Sequence, residues 1–365
     1  MHEFFIKSIK YTSLLYNKNT KTLLNETFKC IKETMNWLFN EMNFLNIISN
    51  ESNNQSDDRI LNMCMLIKNK QFFHAFSKSV NLMKLFAANM TVWMLNKMNI
   101  LTYEDFRKIN SIIINTCNLK QSVWNNLAAD ARLKHVFFVL CDFHDLQLLL
   151  KDLLHSSLIW FIFIKTLKIV NFIWKIKHQL DILCRYQKKI YNQHKSLIVF
   201  IILRWKTQIH LIESLVRSKV ALWRYATDDE INFTICMSKF LNLSLQYIQD
   251  VNFWVELNDL LFILQFIHEQ QKMSKNNWVI VDKIYIHWID IQTHLNQCIQ
   301  SNRFNQAIEK FLWIQFTSWL TKQIIILHKV TYYFHSTYYN KSLNIFKQDE
   351  ILCFLWSHTE SQYHT

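Results

Sequence analysis

Short apolar runs separated by polar clusters fill the first third of the chain, and longer runs with a helical repeat fill the remainder. Phe44 to Ser49 has strand length and stops at the polar cluster Asn50 to Asn54, which predicts a strand with Asn50 at its end. Arg59 to Ile67 and Gln71 to Phe76 predict two more strands at hairpin spacing, joined by Lys68-Asn69-Lys70. Such a turn favours Gly after Asn, so Lys70 reads as the position of a lost glycine. Met83 to Met98 has helical period, and Thr102 to Asp105 reads as a cap opening the next short helix. The β-branched run Ile109 to Ile114 is the clearest strand and stops at Asn115; a helix from about Gln121 and a buried strand at His135 to Leu140 follow. From Asp142 to about Tyr338 the pattern is helical, as in Leu146 to Leu154, Ile159 to Tyr191, Gln208 to Trp223, Glu230 to Gln249 and Phe253 to Gln271. The order β-β-β-α-β-α-β followed by a helical block predicts an α/β core and a large helical region.

Composition changes how this pattern is read. The 365 residues include no Gly and no Pro, where average usage supplies roughly 26 and roughly 18. Gly and Pro use the GGN and CCN codons, and C-to-T change read on either strand converts them to Lys, Asn, Ser, Asp, Glu or Arg, and to Phe, Leu or Ser. The same change turns Arg into Trp, Cys, Gln or His, Asp into Asn, and Glu into Lys. The chain is rich in those products, with 13 Trp, 28 Phe and 8 Cys. It reads as an enzyme sequence altered by such transitions.

A hydrophobic content of 50% with 19% charged residues is enough for a substantial core and excludes global disorder. The formal net charge of +13 suits a nucleic-acid partner, although Glu-to-Lys change raises charge without any functional reason. No C-x-x-C pair occurs, and Met1 to Tyr16 carries charge through its apolar stretch, so intracellular, reduced thiols are expected. The greasiest stretches, Ser157 to Ile164 and Leu197 to Leu203, end at Lys165 and Arg204, short of the roughly 20 apolar residues that span a bilayer. Both predict buried elements and no membrane partner.

Several motifs carry candidate chemistry. Asp228-Asp229-Glu230 looks like a metal cluster, yet consecutive helical side chains diverge, and Thr227 with Glu230 reads as a capping box. Cys141-x-x-His144 has zinc-ligand chemistry without a second pair of suitable spacing, which favours a structural pair at a strand-to-helix junction. Arg204-Trp205 could stack on a base or pair with a phosphate, or stand as a helix-end Arg beside a core Trp. Asn50 and Asn115 end two strands, where Asn by itself is a turn former.

Four segments resemble the hAT superfamily of DNA transposases, in its fungal form: Ile109 to Trp124, Arg132 to Leu153, Ser196 to Leu222 and Phe253 to Leu295. They occur in the family's order and spacing, within a likeness running from about Tyr16 to Tyr363. The resemblance implies a ribonuclease H-like core interrupted by a long helical insertion. It sets Asn50 and Asn115 where the family has its first two catalytic Asp residues. It also matches Cys141 and His144 to a C-x-x-H motif, and Arg204 and Trp205 to an Arg-Trp motif normally followed by Gly, here Lys206. Phe266 stands where the family has Pro. The family's third carboxylate is expected after Thr365, and its amino-terminal zinc-finger module is expected outside this chain.

The implied domains are a helical lead-in over 1–40, the first part of the core over 41–145, the helical insertion over 146–340 and a C-terminal segment over 341–365. The resemblance implies an ancestral enzyme that used Mg²⁺ or Mn²⁺ to cleave and transfer DNA strands. An amide lacks the anionic charge that draws such cations, so the chain is expected to be catalytically inactive and to need no cofactor, with Glu51, Asp57 and Asp58 the nearest acids. DNA, reached through basic surface and the Arg204-Trp205-Lys206 region, and a second copy of the chain are its expected partners; no small-molecule substrate is implied. Its location would be nuclear. The alternatives are a domesticated nucleic-acid-binding or dimerisation module built on the helical block, and a wholly helical interaction protein with no sheet before residue 140. Lys165 and Lys168, within the apolar Ile159 to Ile173, are read as marks of drift against the first of these.

Overall fold

A computed structural model describes Lys29 and residues 44–53, 59–67, 70–78, 87–115, 118–199, 206–228, 239–275, 281–335 and 349–355. The chain divides into two compact units, Met1–Val139 and Leu140–Thr365. The division falls a few residues ahead of the 145 read from the sequence, so the Cys141 motif belongs to the helical unit.

In the first unit, β1 (Leu45–Asn53), β2 (Arg59–Ile67), β3 (Lys70–Lys78), β4 (Ile109–Ile114) and β5 (Phe137–Leu140) lie in the order β3-β2-β1-β4-β5. β1 and β2, and β2 and β3, are antiparallel, whereas β1 and β4 are parallel. This sheet excludes the wholly helical alternative. Between β3 and β4 runs α1 (Ala87–Thr102). Its Met90, Met94 and Met98 recur at helical spacing and pack with Ile47, Met65, Ile112 and Ile114 of the strands. Val123 and Leu127 of α2 (Asn118–Ala128) join the same core.

Two expectations shift. β1 does not stop at Asn50 but continues to Asn53, because β2 supplies ladder partners out to Asn53↔Arg59 and pairing overrides a polar composition. Lys70 sits in β3, paired in the ladder with Ile67; Lys68 and Asn69 lie outside the described residues. A glycine at 70 is therefore not what the turn requires.

Without glycine, left-handed backbone falls to other residues: Tyr103 (φ 51°), Glu104 (φ 70°), Asn192 (φ 56°) and Asn302 (φ 48°). Asn tolerates this region; Tyr and Glu do not. Thr102 ends α1 rather than opening the next helix, and the Glu104 N–H donates to the Asn99 carbonyl at 3.0 Å, closing a helix end whose pivot, Tyr103, is normally Gly. Asp105 then caps the 3₁₀ turn Phe106–Lys108. Tyr103→Gly is expected to stabilise the first unit by about 0.5–1 kcal/mol. A lowered denaturation midpoint would refute this reading of the turn.

The second unit is helical: α3 (Asp142–Leu154), α4 (Ser157–Lys175), α5 (Lys177–Tyr191), α6 (Lys206–Arg217), α7 (Lys219–Ala226), α8 (Lys239–Gln249), α9 (Val251–Ser274), α10 (Val281–Gln300), α11 (Gln306–Gln323) and α12 (Ile326–Phe334), with a further helical turn at 349–355. Side-chain caps replace Gly and Pro punctuation: Ser156 Oγ, Asp250 Oδ1 and Asn305 Oδ1 accept backbone N–H bonds at the starts of α4, α9 and α11. Trp254, Trp288, Phe163, Phe253 and Phe316 are fully buried in one continuous core. Thr227 caps the C-terminus of α7, its hydroxyl donating to the carbonyls of Trp223 and Arg224. Asp229 and Glu230, the latter the other half of the expected capping box, lie outside the described residues.

Among the described residues α4 alone is long and apolar enough to cross a membrane, and 44% of that stretch is buried inside the unit. Its apolar run extends past Lys165, farther than the sequence reading carried it. Lys165 Nζ lies 3.8 Å from Asp250 Oδ2 and over the rings of Phe161, Tyr247 and Phe253. Lys168 Nζ sits 5.8 Å from the Tyr247 ring centre. Both lysines are accommodated by cation–π contacts and, for Lys165, a carboxylate, so neither is an orphaned charge.

Candidate functional site

Parallel pairing of β1 with β4 runs Ile47↔Ile112, Ile48↔Ile113, Ser49↔Ile114. The residues that follow are Asn50, still in β1, and Asn115, just past the end of β4, so the two amides come one step beyond the last paired level of neighbouring central strands. Asn50 lies within β1, paired with Asn62 of β2, and Asn115 follows the last residue of β4, half-buried. Adjacent strands are about 4.8 Å apart, the spacing at which two carboxylates could share ions about 3.5–4 Å apart. Two neutral amides at those positions supply hydrogen-bond donors and acceptors but no anionic charge. Glu51 is the next strand residue, opposite Leu61, and Asp57 and Asp58 lie outside the described residues. Among the described residues no group of three or more His, Cys, Asp or Glu is arranged to hold a metal ion.

In the helical unit, Cys141 follows β5 and occupies the N-cap position of α3 with no side-chain cap bond, and His144 lies in the first turn, at the strand-to-helix junction the sequence reading names. Burial pushes the Cys141 thiol up to about 11, against a smaller opposing effect of the His144 N–H. The thiol is therefore neutral near pH 7 and a poor nucleophile or ligand.

Between this pair, Asp142 organises a buried network that sequence reasoning missed. Trp288 Nε1 donates to Asp142 Oδ1 at 2.6 Å, Ser274 Oγ donates to Oδ2, and His287 Nδ1 lies 3.1 Å from the same oxygen. Ser274, His287 and an acid invite comparison with hydrolase chemistry, but the geometry opposes it. Ser274 Oγ and Asp142 Oδ2 both crowd Nδ1 of His287, whereas a nucleophilic serine needs the imidazole nitrogen remote from the acid. Asp142 and His287 are also closed off from solvent. The network ties the start of α3 to α9 and α10.

α11 is held to the end of α3 by Trp319 Nε1, which donates to Asp152 at 2.9 Å, and its Gln323 Nε2 donates to the Leu140 carbonyl at 3.4 Å. His328 is fully buried, accepts the Ile325 N–H on Nδ1 at 3.2 Å, and has its Nε2 without a hydrogen-bond partner among the described residues. Burial pulls it down to about 4, with the Asp142 charge opposing. Phe266, the residue in place of the family's Pro, stacks on His294 at 4.1 Å with ring planes 6° apart. Arg204 and Trp205 lie outside the described residues; Lys206 is the first residue of α6. A scan of protein-family models finds no match to this chain, and neither does a search of curated proteins.

Proposed function

We propose that the chain is the remnant of a hAT-type DNA transposase whose ribonuclease H-like core no longer cleaves DNA. The observation that carries the reading is the parallel contact of β1 with β4, which sets Asn50 and Asn115 side by side at the middle of a mixed sheet. A two-metal nuclease needs carboxylates on neighbouring strands at one level. Asp-to-Asn change at both removes the charge and leaves the scaffold, the outcome expected of the transitions that stripped the chain of Gly and Pro.

Restoring the acids tests this. Asn50→Asp/Asn115→Asp is expected to gain Mn²⁺-dependent stabilisation of about 1.4 kcal/mol at tenfold its Kd, read as a rise in denaturation midpoint, with no such rise in the parent chain. No Mn²⁺ response in the double variant sinks the ancestry. Mn²⁺-dependent DNA cleavage by the parent chain, abolished by Asn115→Ala, sinks the inactive reading.

A second reading, a nucleic-acid-binding or dimerisation module built on the helical unit, gains from one observation. Lys165 and Lys168 make cation–π contacts, and Lys165 also meets Asp250, rather than standing as buried defects. The apolar faces of this unit thus remain coherent.

A further inference from the structure

α5 carries Lys177, Arg185, Lys188 and Lys189 on its exposed side, with Asp181 the one acid of the helix. None of the four cations has an ion-pair partner among the described residues. The opposite side buries Gln179, Ile182, Leu183 and Gln187, so the helix is fixed in rotation with its charges outward. Over 15 residues the face extends about 22 Å.

At its C-terminal end a cleft of about 440 Å³ is lined by Cys184, Arg185, Lys188, Asn192, Gln193 and His194. The lining is pre-organised. Asn192 turns the chain in the left-handed region and its N–H donates to the Lys188 carbonyl. Gln187 clasps Lys195 twice, accepting from its N–H at 3.1 Å and donating to its carbonyl at 2.7 Å. Burial, with the Asp181 charge second, holds the Cys184 thiol up, so it stays protonated, with its Sγ 2.7 Å from His194 Nε2. Two cations, two amides and an imidazole thus surround a space open to solvent, and these groups hydrogen-bond phosphate oxygens.

We propose that the exposed face of α5 with residues 192–195 is a nucleic-acid backbone site, its cleft taking one phosphate. Charge complementarity names the occupant: four cations without ion-pair partners on one exposed helix face match a polyanion. A lipid surface fits less well, because no large hydrophobic residue is exposed between Trp174 and Val199, and interfacial helices need such residues for insertion. The site locates the nucleic-acid contact left open above; it rests on that reading only for DNA rather than RNA.

The test is fluorescence anisotropy of the full chain with two labelled DNA duplexes of unrelated sequence, between about 50 and about 200 mM salt. Both duplexes should bind alike. Arg185→Ala/Lys188→Ala should weaken both about tenfold at low salt and reduce the salt slope by about 2. A matched pair at exposed lysines elsewhere, Lys134→Ala/Lys310→Ala, should leave the slope unchanged. The site is overturned by an unaltered slope in the first variant, by an equal fall in the second, or by binding to phosphatidylserine vesicles without binding to DNA. A single-stranded RNA arm distinguishes the nucleic acids. The Mn²⁺ response of the restored strand ends uses no nucleic acid, so either idea can fail alone.

Discussion

Asp142→Ala is expected to destabilise the helical unit by about 2–4 kcal/mol. The carboxyl group accepts from Trp288 and Ser274 and sits against His287, and Asp142 is 5% exposed. Removing it leaves the buried Trp288 N–H without its acceptor, at a cost of about 1–3 kcal/mol, while Ser274 Oγ keeps the Gln270 carbonyl and His287 Nδ1 keeps Ser274 Oγ. Asp142→Asn keeps one acceptor for the Trp288 N–H and should lose only about 1–2 kcal/mol. Urea titration followed by tryptophan fluorescence reads the difference. A loss under about 1 kcal/mol for Asp142→Ala would mean that the network is decoration on an apolar core.

Acid should unfold this unit through His328. Its folded pKa of about 4 lies below the ordinary 6.5, because burial penalises the charged ring more than the Asp142 charge favours it. The unfolded chain therefore takes up the proton first as pH falls. The stabilisation is complete above about pH 6.5 and drains away down to about pH 4, amounting to about 3 kcal/mol. Asp105 and Asp130, whose carboxyl groups are held below 3.8 chiefly by hydrogen bonds from Arg107 and Arg132, act below that window. His328→Gln should flatten the stability profile between pH 6.5 and 4. An unchanged slope would assign the acid sensitivity to other groups.

The hydrophobic pattern carried much of the architecture, because strand and helix periods survive changes that erase turns. Ile109–Ile114 is a strand to the residue, and the element order is as the pattern predicts. Boundaries set by tertiary partners were not legible. β1 runs on through polar residues because β2 pairs with them, and the long helical runs break at Ile176 and Ser218 without Gly or Pro to mark the place. The side-by-side standing of Asn50 and Asn115 needs the parallel pairing, which no local signal encodes. Asp142 stood in plain view inside the Cys141 motif, but Ser274, His287 and Trp288 lie 132 to 146 positions away. The cations of α5 were visible as residues; their unpaired state was not.

The strand order bears on how the chain is made. β1, β2 and β3 emerge together from the ribosome as a meander, but the neighbour that covers the far side of β1 is β4, which ends at Ile114. At about 5–20 residues per second, β1 waits about 2–7 seconds after β3 with a bare row of amides and carbonyls. During that interval the strand that carries Asn50 is open to pairing with any passing chain, so the yield of soluble protein should depend on translation speed between residues 78 and 114.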